Sequence, residues 1–556
     1  MSSSLNIGSS TVGLSSILKE GIKSYKGLDQ ATLRNIHACL ELGDLLRTSF
    51  GPCGRNKLLL NQLDKVSVTS DAQTIMQEAG VVHPGAKLLV QVAQQQTAEV
   101  GDGAALVVIL SAALLGKASE LIQLGVRPGV IRDGFHAGIL KALELLDELV
   151  TENVAPEWKS ADAKTLTKQL LPLMRPVMAS KQLGLEDWLA QVAADALAHA
   201  IPCDAPERFD LDNVRIVKIM GGSYLHSQVI HGLVLNHKLN GAPLKHGAVK
   251  VAVYSCPLDI GRTETKGTVL LKSAAQMMAF GQDEERSLEA DLKAIADSGA
   301  QLLVTSDTVS DLALHFMSRL GLAALKLTSK FDLRRVVRST GARALTSLRA
   351  PKPEELGIAS QVQSVEIGSD YCTLLKNDQG ARISTIVLRG ASTNVMEDYE
   401  RSILNGISVV KAVLMAGDGR LIPGAGATEM ELSRRLSEFA LNSGLSGLPL
   451  MALQYFAEAF TSVPLVLAEN AGLDPIPYMA ALEAAHNDKR TLAGVHPDEE
   501  QPVDTHVRDV LIVKRKAIGY AGRIAALVLG VDQIIMAKQA NPGGPQARAN
   551  QPADAY

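Results

Sequence analysis

Two glycine-rich segments in the first fifth of the chain have residue types that can hold a phosphorylated ligand. Residues 51–57 read GPCGRNK, and the triplet GDG at residues 101–103 precedes the apolar run 104–115. Glycine lets a backbone approach a ligand closely, and amides at a following helix start can hold phosphate. Asp102 could hold Mg²⁺ beside a phosphate, or it could cap the helix that follows. The heptad could equally be a turn that ends a helix, so each segment alone leaves two interpretations open.

Two familiar nucleotide motifs are absent or weak. The chain has no G-x-x-x-x-G-K-[ST] segment, so a P-loop nucleotidase is not expected. Residues 423–429 read PGAGATE and superficially suggest a dinucleotide fingerprint. They lack the third glycine and the ribose-binding acid about 20 residues later, which makes that interpretation weak.

The overall composition limits the class of protein. The chain has 556 residues, enough for several domains of roughly 100–200 residues each. Hydrophobic residues make up 46% and aromatic residues only 4%, so the cores must be aliphatic and alanine-rich, which favours helices. The net charge of −4 gives no general attraction to nucleic acid or to an anionic membrane. We therefore expect no nucleic-acid partner and no membrane association.

The cysteines and the apolar segments indicate a soluble protein of a reducing compartment. The start, MSSSLNIGSSTVG, lacks the basic and apolar regions of a secretory signal. The longest apolar run, residues 104–115, is about half of what spans a bilayer, which favours a buried helix. An odd number of scattered cysteines without a C-x-x-C pair argues against a disulfide framework and a cysteine zinc site. We expect a cytoplasmic protein; its cysteines are Cys39, Cys53, Cys203, Cys256 and Cys372.

Hydrophobic periodicity divides the chain into helical, α/β and again helical parts. Residues 27–150 are mostly helical in pattern, with an apolar stripe at steps of three and four from Ile131 to Leu149. Short strand-like runs then alternate with helical segments, which indicates an α/β domain. The helical pattern returns over residues 395–485. The simplest arrangement is an α/β domain inserted into a helical one; the strand candidates are residues 249–253, 302–304, 322–325, 383–388 and 531–536.

Eight segments in a fixed order resemble the group II chaperonins from end to end. They are SFGPCGRNKLL, VTSDAQTIM, VGDGAAL, ASKQLG, VLRGAS, IPGAGATEMEL, LAENAGLDP and VLIVKRKAI with the later VDQIIMAK. A second set, which includes LKEGIKSYKGLDQATLRNI, VVHPGAK, VAVYSCPLD, TETKGTV, KAIADSGA and FDLRRV, resembles one subunit type of the eukaryotic cytosolic chaperonin. The two sets cover the N-terminal, central and C-terminal parts of the chain.

The resemblance implies a multidomain α and α/β protein with the chaperonin fold. A helical equatorial ATP-binding domain, a small α/β intermediate domain and an inserted α/β apical domain with a helical lid protrusion are expected. Such a subunit would join paralogous subunits in a hetero-oligomeric double ring and use ATP to fold unfolded client proteins. The implied ranges are 1–150 and 412–538 (equatorial), 151–222 and 380–411 (intermediate), 223–379 (apical) and 539–556 (a disordered tail rich in Gly, Pro, Gln and Ala).

The same resemblance assigns residues to a site for ATP or ADP with Mg²⁺. Asp102 would coordinate the metal, Lys181 would approach the γ-phosphate, and Asp71 would lie near the attacking water. Gly426 would lie against the nucleoside, and Asp509 would meet the ribose. The segments along the phosphates would contain Ser49, Phe50, Gly51 and Pro52, and then Gly103, Ala104 and Ala105.

Asn405 departs from the family pattern where hydrolysis requires a second aspartate. That aspartate, on the intermediate-domain helix after the LRG strand, orients and polarises the attacking water. Asparagine can accept a hydrogen bond from water, but it has no negative charge and is not a useful base near neutral pH. Asp398 lies seven residues earlier, about 10 Å away along a helix, so it is a doubtful substitute.

The phosphate-binding segments depart from the family as well. Ala104 and Ala105 stand where threonine hydroxyls usually help to hold phosphate, and Ala72 and Ala425 replace glycines. We expect the chain to bind nucleotide but to hydrolyse it slowly or not at all, while ring partners do most of the hydrolysis. The alternative is that these residues lower turnover only modestly, so whether the chain itself is an enzyme stays open at this point.

Three other segments would have roles in clients, lid and ring. Arg334, Arg335 and Arg338 lie on one side of a predicted helix, either as a solvated basic face or as a surface for acidic or polar client segments. Residues 269–292 would form the lid, whose methionines and phenylalanine could be core or an adaptable contact surface. The strand candidate 531–536 could join a neighbour's sheet or an internal one.

Two rival classes of function remain from the sequence. A stand-alone metabolic ATPase would need its own catalytic groups, and the α/β segment has no recognisable Ser/His/Asp or metal-ligand set. A purely structural ring subunit would bind no nucleotide. Four charged residues of the predicted site argue against that class: Asp71, Asp102, Lys181 and Asp509. Asn405, Ala104 and Ala105 argue for it.

Overall fold

The structure is a computed structural model that describes residues 23–26, 31–61, 64–154, 163–202, 205–244, 247–259, 273–368, 370–377, 382–442 and 444–536. The predicted tail, Cys203 and the first part of the predicted lid lie outside these ranges. The other four cysteines are free, as expected without a disulfide framework.

The first part of the chain is a helical body with one hairpin. The apolar stripe of the fifth helix is buried at Ile131, Phe135 and Ile139, and the helical prediction is confirmed. The hairpin is not predicted from the sequence, because its short strands are defined by their pairing with each other. The elements are β1 Lys23–Lys26, α1 Leu33–Arg47, β2 Lys57–Leu60, β3 Val66–Thr69, α2 Ala72–Glu78, α3 Pro84–Val100, α4 Ala104–Gln123, α5 Pro128–Glu148 and β4 Glu152–Asn153.

The middle of the chain begins with two helices and continues into the inserted α/β unit. A helix, α8, covers most of the described part of the predicted lid. The elements are α6 Ala163–Ala179, α7 Glu186–Ala200, β5 Val214–Met220, β6 Gln228–His231, β7 Leu233–Leu235, β8 Asn240–Gly241, β9 Val249–Tyr254, α8 Ala274–Asp297, β10 Leu302–Thr305, α9 Asp311–Leu320, β11 Ala323–Lys326, α10 Lys330–Thr340, β12 Ala344–Leu345, β13 Gly357–Ala359, β14 Gln361–Ile367 and β15 Asp370–Lys376.

The strand candidates of the inserted unit are neighbours in one sheet. The order is β12-β9-β10-β11-β8, with β9 to β12 parallel and β13 antiparallel on β9. Val251 and Val253 belong to one buried layer, whereas Ala252 and Tyr254 belong to another on the opposite face. Burial of both faces is typical of parallel strands covered by helices, and it explains the near-continuous apolar run of β9.

The last part of the chain returns to the helical body. The elements are β16 Ser384–Gly390, α11 Thr393–Ala416, β17 Arg420–Pro423, α12 Ala427–Asn442, α13 Leu448–Ala459, α14 Ser462–Ala471, α15 Pro475–Asn487, β18 Ala493–Gly494, β19 Val503–Asp504, β20 Arg508–Val510, α16 Leu511–Leu529 and β21 Gln533–Met536. Helix α16 packs on α3, α4 and α5, and one buried core contains residues of α1 to α5 together with α12, α13 and α16. The two outer parts of the chain therefore fold together, as predicted.

A three-stranded sheet joins the helical body to the inserted unit. In it, β16 pairs in parallel with β5 and antiparallel with β6, and α7 and α11 pack on β16. Strand β5 precedes the insertion and β16 follows it, so the sheet contains a strand from each of the two chain segments that connect the helical body to the inserted unit. The expected boundary between residues 222 and 223 separates β5 from β6, although this sheet continues to His231.

The two ends of the described chain pair with each other. β1 and β21 are antiparallel, with Lys23 opposite Met536. The strand candidate 531–536 thus forms a strand, and its partner is internal to the chain, which was one of the two alternatives.

Two apolar stretches are long enough to cross a membrane by composition alone. They are Ala104–Gln123 and Leu448–Ala471, and 67% and 50% of their most apolar windows are buried inside the protein. Both belong to the helical body, where core helices have the same composition.

Candidate functional site

Three of the predicted site residues meet although they come from three distant segments. Lys181 Nζ lies 3.1 Å from Asp71 Oδ1 and 3.9 Å from Asp102 Oδ1. Asp71 precedes α2, Asp102 lies between α3 and α4, and Lys181 is in the turn that joins α6 to α7. The lysine therefore links the helical body to the helices beside the three-stranded sheet.

Asp71 is both an ion-pair partner and a helix cap. Its Oδ2 accepts hydrogen bonds from the Thr74 backbone N–H at 3.1 Å and from the Thr74 hydroxyl at 2.9 Å. Burial alone would raise the pKa of this carboxyl, but Lys181 and Thr74 together outweigh it and hold the pKa below its usual value. Asp71 is thus a fixed carboxylate at neutral pH.

Asp102 has the opposite electrostatic balance. Burial raises the pKa of its carboxyl, Lys181 opposes that rise, and the carboxylates of Asp509 and Asp71 add to it. Gly103, not Asp102, occupies the N-cap position of α4, so the interpretation of Asp102 as a helix cap is wrong. A desolvated carboxylate with two acidic neighbours is poised to gain from an added cation.

Gln96 holds the loop that carries Asp102. Its side-chain N–H₂ donates to the backbone oxygens of Asp102 at 2.9 Å and Val513 at 3.1 Å, and the side chain is fully buried. Gly103 has φ +88°, and a Cβ there would lie 2.9 Å from the same amide. The loop thus needs glycine for its backbone and Gln96 for its position.

The GPCG segment is a turn that follows the end of a helix. Helix α1 ends at Arg47, and the strand β2 begins at Lys57. The expectation that a helix start would follow this segment and offer its amides is therefore wrong, because the next element is a strand. The helix starts nearest to the predicted site are those of α2, α4 and α12.

The same turn nevertheless contains an unsatisfied polar group. The Ser49 hydroxyl is buried and has no hydrogen-bond partner among the residues that the structure describes. Asn470 fixes the turn from the other end of the chain by donating to the backbone oxygens of Arg47 and Phe50, both at 2.8 Å. A buried hydroxyl without a partner is costly unless a ligand or water completes it.

Gly51 and Gly426 lie against a common side chain. A Cβ on Gly51 would approach Leu467 to 2.5 Å, and one on Gly426 would approach the same leucine to 3.5 Å. Gly51 has φ +81° and Gly426 has φ +80°. The turn and the loop before α12 are therefore neighbours on the two sides of Leu467, and we call the region that they border the glycine cleft. Ala425 has φ +54°, a conformation in which the glycine usual in the family would be less strained.

Asp509 lies beside that loop and is held by a buried lysine. In the β17–β20 pair, Asp509 is opposite Ile422. Lys514 Nζ lies 2.9 Å from Asp509 Oδ2 and 2.6 Å from Glu429 Oε1. Burial would lower the pKa of Lys514, but the two carboxylates outweigh it and raise the pKa above the usual value. Gln96, Glu429 and Lys514 could not be predicted from the sequence, since each makes a contact with a residue that is distant along the chain.

Asn405 contacts the Asp102 loop through its backbone. A Cβ on Gly101 would lie 2.8 Å from the Asn405 oxygen and 2.4 Å from the Ser408 Cβ, so α11 packs directly on the loop. Asp398 forms an ion pair with Arg401 at 2.5 Å on the same helix. That pairing agrees with its expected unsuitability as a substitute.

Two of the three apical arginines are engaged within the chain. Arg335 pairs with Asp332 at 2.9 Å, and Arg338 pairs with Asp210 at 2.9 Å. Arg334 is exposed, and its guanidinium carbon lies 5.9 Å from the centre of the Phe331 ring. The three arginines expected to form one basic face of α10 therefore differ. Arg335 and Arg338 form ion pairs within the chain, and Arg334 is exposed.

Within the described ranges, no group of three or more His, Cys, Asp or Glu side chains is placed to hold a metal ion. A cation at Asp102 would thus take most of its ligands from a bound phosphate or from water, as Mg²⁺ usually does. The orphaned Ser49 hydroxyl and the cleft at Gly51 and Gly426 fit such a phosphorylated ligand.

Comparisons with known proteins identify the family of the chain. Residues 42–539 match the model of the TCP-1/cpn60 chaperonin family. The chain is 41% identical to T-complex protein 1 subunit theta of Saccharomyces cerevisiae, over 96% of this chain and 96% of the relative. The theta subunits of Arabidopsis thaliana (41%, 98% and 97%) and Homo sapiens (39%, 96% and 96%) are similarly close. Theta is the subunit type that the second set of sequence segments resembles, and the chain belongs to the TCP-1/cpn60 chaperonin family.

Proposed function

We propose that this chain is a theta-type subunit of an ATP-dependent chaperonin that encloses and folds non-native proteins in the cytoplasm. Its partners would be paralogous subunits of a hetero-oligomeric double ring and unfolded client proteins. Near-full-length similarity to chains named as subunits of T-complex protein 1 supports the assembly. The observation that carries the nucleotide part is the convergence of Asp71, Asp102 and Lys181, with Asp509 close enough to raise the pKa of Asp102.

Each residue of the cleft has a proposed task toward ATP or ADP. Ser49, Phe50, Gly51 and Pro52 would border the phosphates, and Gly103, Ala104 and Ala105 would offer the backbone amides at the start of α4. Gly426 would leave room for the nucleoside, and Asp509 would accept a hydrogen bond from the ribose. Asp102 would hold Mg²⁺, which neutralises phosphate charge when it is bound.

Lys181 connects this cleft to the rest of the molecule. Its single positive charge pairs with Asp71 and lies 3.9 Å from Asp102, and an anionic phosphate would compete for the same ammonium group. Because the lysine lies in the α6–α7 turn, any change in its partners acts on the helices next to the three-stranded sheet. Nucleotide would then shift the position of the inserted unit only as far as it binds the two arrangements unequally.

The chain would hydrolyse ATP slowly or not at all. Asn405 would occupy the position of the water-polarising aspartate. Ala104 and Ala105 lack the threonine hydroxyls that usually help to hold phosphate in the family. Asp71 alone would remain near the water, and its carboxylate is already occupied by Lys181 and Thr74.

The test uses double rings reassembled with the full chain and its paralogous partners. Photo-crosslinking of a nucleotide analogue, resolved by subunit, should label this chain, and Asp102→Asn should reduce the label by about tenfold or more. Labelling of the partners but not of this chain would favour the purely structural class. Loss of ring assembly with the unaltered chain would refute the subunit assignment itself.

A second measurement addresses hydrolysis. Asn405→Asp should raise the ATPase rate of the ring, whereas Asn394→Asp, the same change about three helical turns earlier on α11, should not. A rate that does not rise with Asn405→Asp would contradict the assignment of this position.

A further inference from the structure

A second cavity lies away from the nucleotide residues, where the three-stranded sheet meets the inserted unit. Its volume is about 790 Å³, and its walls come from α6, α7, β6, the end of α10 and the segments that flank β15 and β16. We call it the hinge cavity. Its size is in the range of pockets that hold small ligands.

The ionisable side chains around the hinge cavity are mostly basic. Lys164, His199, His231 and Arg382 line it, and Asp195 is the acidic residue among the lining residues that the structure describes. The Asp195 carboxylate already accepts hydrogen bonds from Gln191 at 3.0 Å and from Thr167 at 3.4 Å. The cavity therefore presents at least two permanent positive charges and one engaged negative charge.

The two histidines are stacked on each other. Their ring centroids are 4.4 Å apart with an interplanar angle of 22°, and His199 Nδ1 lies 3.1 Å from the Ser384 hydroxyl. Burial, His231 and Arg382 lower the pKa of His199 to about 4. A negative charge beside His199 would favour its protonated form, so an anion in the cavity would complete the site.

We propose that the hinge cavity binds a small, multiply charged anion of phosphate or carboxylate type between Lys164, Arg382 and the stacked histidines. Two cationic side chains from different segments can hold separated negative charges, and the histidines can donate hydrogen bonds once protonated. Polar groups such as Asn377 complete a lining that suits a hydrated anion better than an apolar ligand.

The position of the hinge cavity gives such an anion a mechanical consequence. Lys164 is near the start of α6, a helix of 17 residues, and Lys181 lies just beyond its end, about 25 Å away. The opposite wall includes Ser339 at the end of α10 in the inserted unit. An anion would therefore tie together the helices that carry Lys181 and the unit expected to hold clients. It would stabilise the arrangement in which both walls are close.

The experiment measures anion binding to the full chain by calorimetry. The nucleotide cleft is first saturated with ADP in Mg²⁺-free buffer, because pyrophosphate and citrate chelate Mg²⁺, and then pyrophosphate or citrate is added. Lys164→Gln with Arg382→Gln should weaken binding of the preferred anion by about tenfold or more, because two charge-assisted contacts are lost. Lys168→Gln, one turn further along α6 and outside the lining, is the matched control and should leave the affinity unchanged.

Each outcome has a defined meaning. Tighter pyrophosphate binding assigns a phosphate ligand, and tighter citrate binding assigns a carboxylate ligand. A bound anion should also raise the pKa of His199, which histidine NMR resonances report directly. No binding of either anion at millimolar concentration, or binding that the double variant leaves unchanged, would overturn the proposal. Neither result depends on the chain hydrolysing ATP, so the proposed function is tested separately.

Discussion

Glu431 shows how a single buried carboxylate organises part of the helical body. It lies 3.0 Å from His486 Nδ1, 2.6 Å from Arg434 and 2.7 Å from Arg435, and it is fully buried. Burial would raise its pKa, but the hydrogen bonds from these three side chains outweigh that and lower the pKa to about 2. Its partners therefore determine that this group is charged in the folded protein.

Replacing this carboxylate should make stability less sensitive to acid. The folded pKa is below the value of 4.5 for an unperturbed glutamate, so the contribution is complete above pH 4.5 and is lost as pH falls toward 2. Glu431→Gln should lower the free energy of unfolding at pH 7 by about 3 kcal/mol, and the difference should shrink below pH 4. Urea unfolding at several pH values measures it.

Glu438→Gln is the matched control for that change. Glu438 pairs with the same Arg434 but is exposed, so its loss should cost less than about 1 kcal/mol. If the two variants are equally stable at pH 7, the buried network does not contribute as the geometry indicates.

The predicted site residues differ in why they could be found. Asp71, Asp102 and Lys181 lie in short segments typical of the family, and the structure brings them within contact distance. Gln96 and Lys514 could not be found, because each also contacts a residue more than 80 positions away, and only the folded chain brings the two together. Such contacts depend on packing of α3, α12 and α16, which local pattern does not specify.

The charged side chains of helix α10 differ in whether they form ion pairs within the chain. Asp332 is buried and pairs with both Arg215 and Arg335, and Arg338 reaches Asp210. These contacts tie α10 to the segment that leads into β5. Among the residues that the structure describes, no acidic side chain is paired with Arg334, which lies beside the exposed Phe331.

We expect the arginines of α10 to separate into two classes. Arg335→Ala with Arg338→Ala should loosen the junction and increase hydrogen exchange in α10 and in residues 205–217, because the buried Asp332 loses one of its two arginine partners and the partly exposed Asp210 loses its arginine. Arg334→Ala should leave exchange unchanged but reduce crosslinking to acidic client segments, if the client surface lies there. Equal exchange in both variants would contradict the junction role.

At this scale the sequence predicted element type better than element extent. Strands β9, β10, β11 and β16 could be predicted because each contains a short apolar run that is buried in the structure. The hairpin β2–β3 and the strands β17 and β20 could not, since each is defined by its pairing partner. The sheet that includes β6 also extends past the expected boundary at residue 222, because strand pairing is decided across the insertion.

For the whole molecule, the decisive contact is between the Asp102 loop and α11. Gly101 packs on the helix backbone at Asn405 and Ser408, and Lys65 Nζ reaches Glu397 of the same helix at 3.1 Å. Together with Lys181, these contacts join the helical body to the helices that flank the three-stranded sheet. A change in the cleft can thus reach the inserted unit through packed elements.

Gly101→Ala should weaken this connection, and Gly125→Ala provides the control. Both glycines have a left-handed backbone, with φ +88° and +89°, so either alanine pays a similar conformational cost of about 1 kcal/mol. A Cβ at residue 101 meets neighbouring atoms, whereas a Cβ at residue 125 has no atom of the described residues within 4 Å. Gly101→Ala should therefore displace α11, increase hydrogen exchange there and reduce the nucleotide-dependent closure of the ring, as seen by protease protection. Equal effects of the two variants would show that the loop does not transmit the state of the cleft through α11.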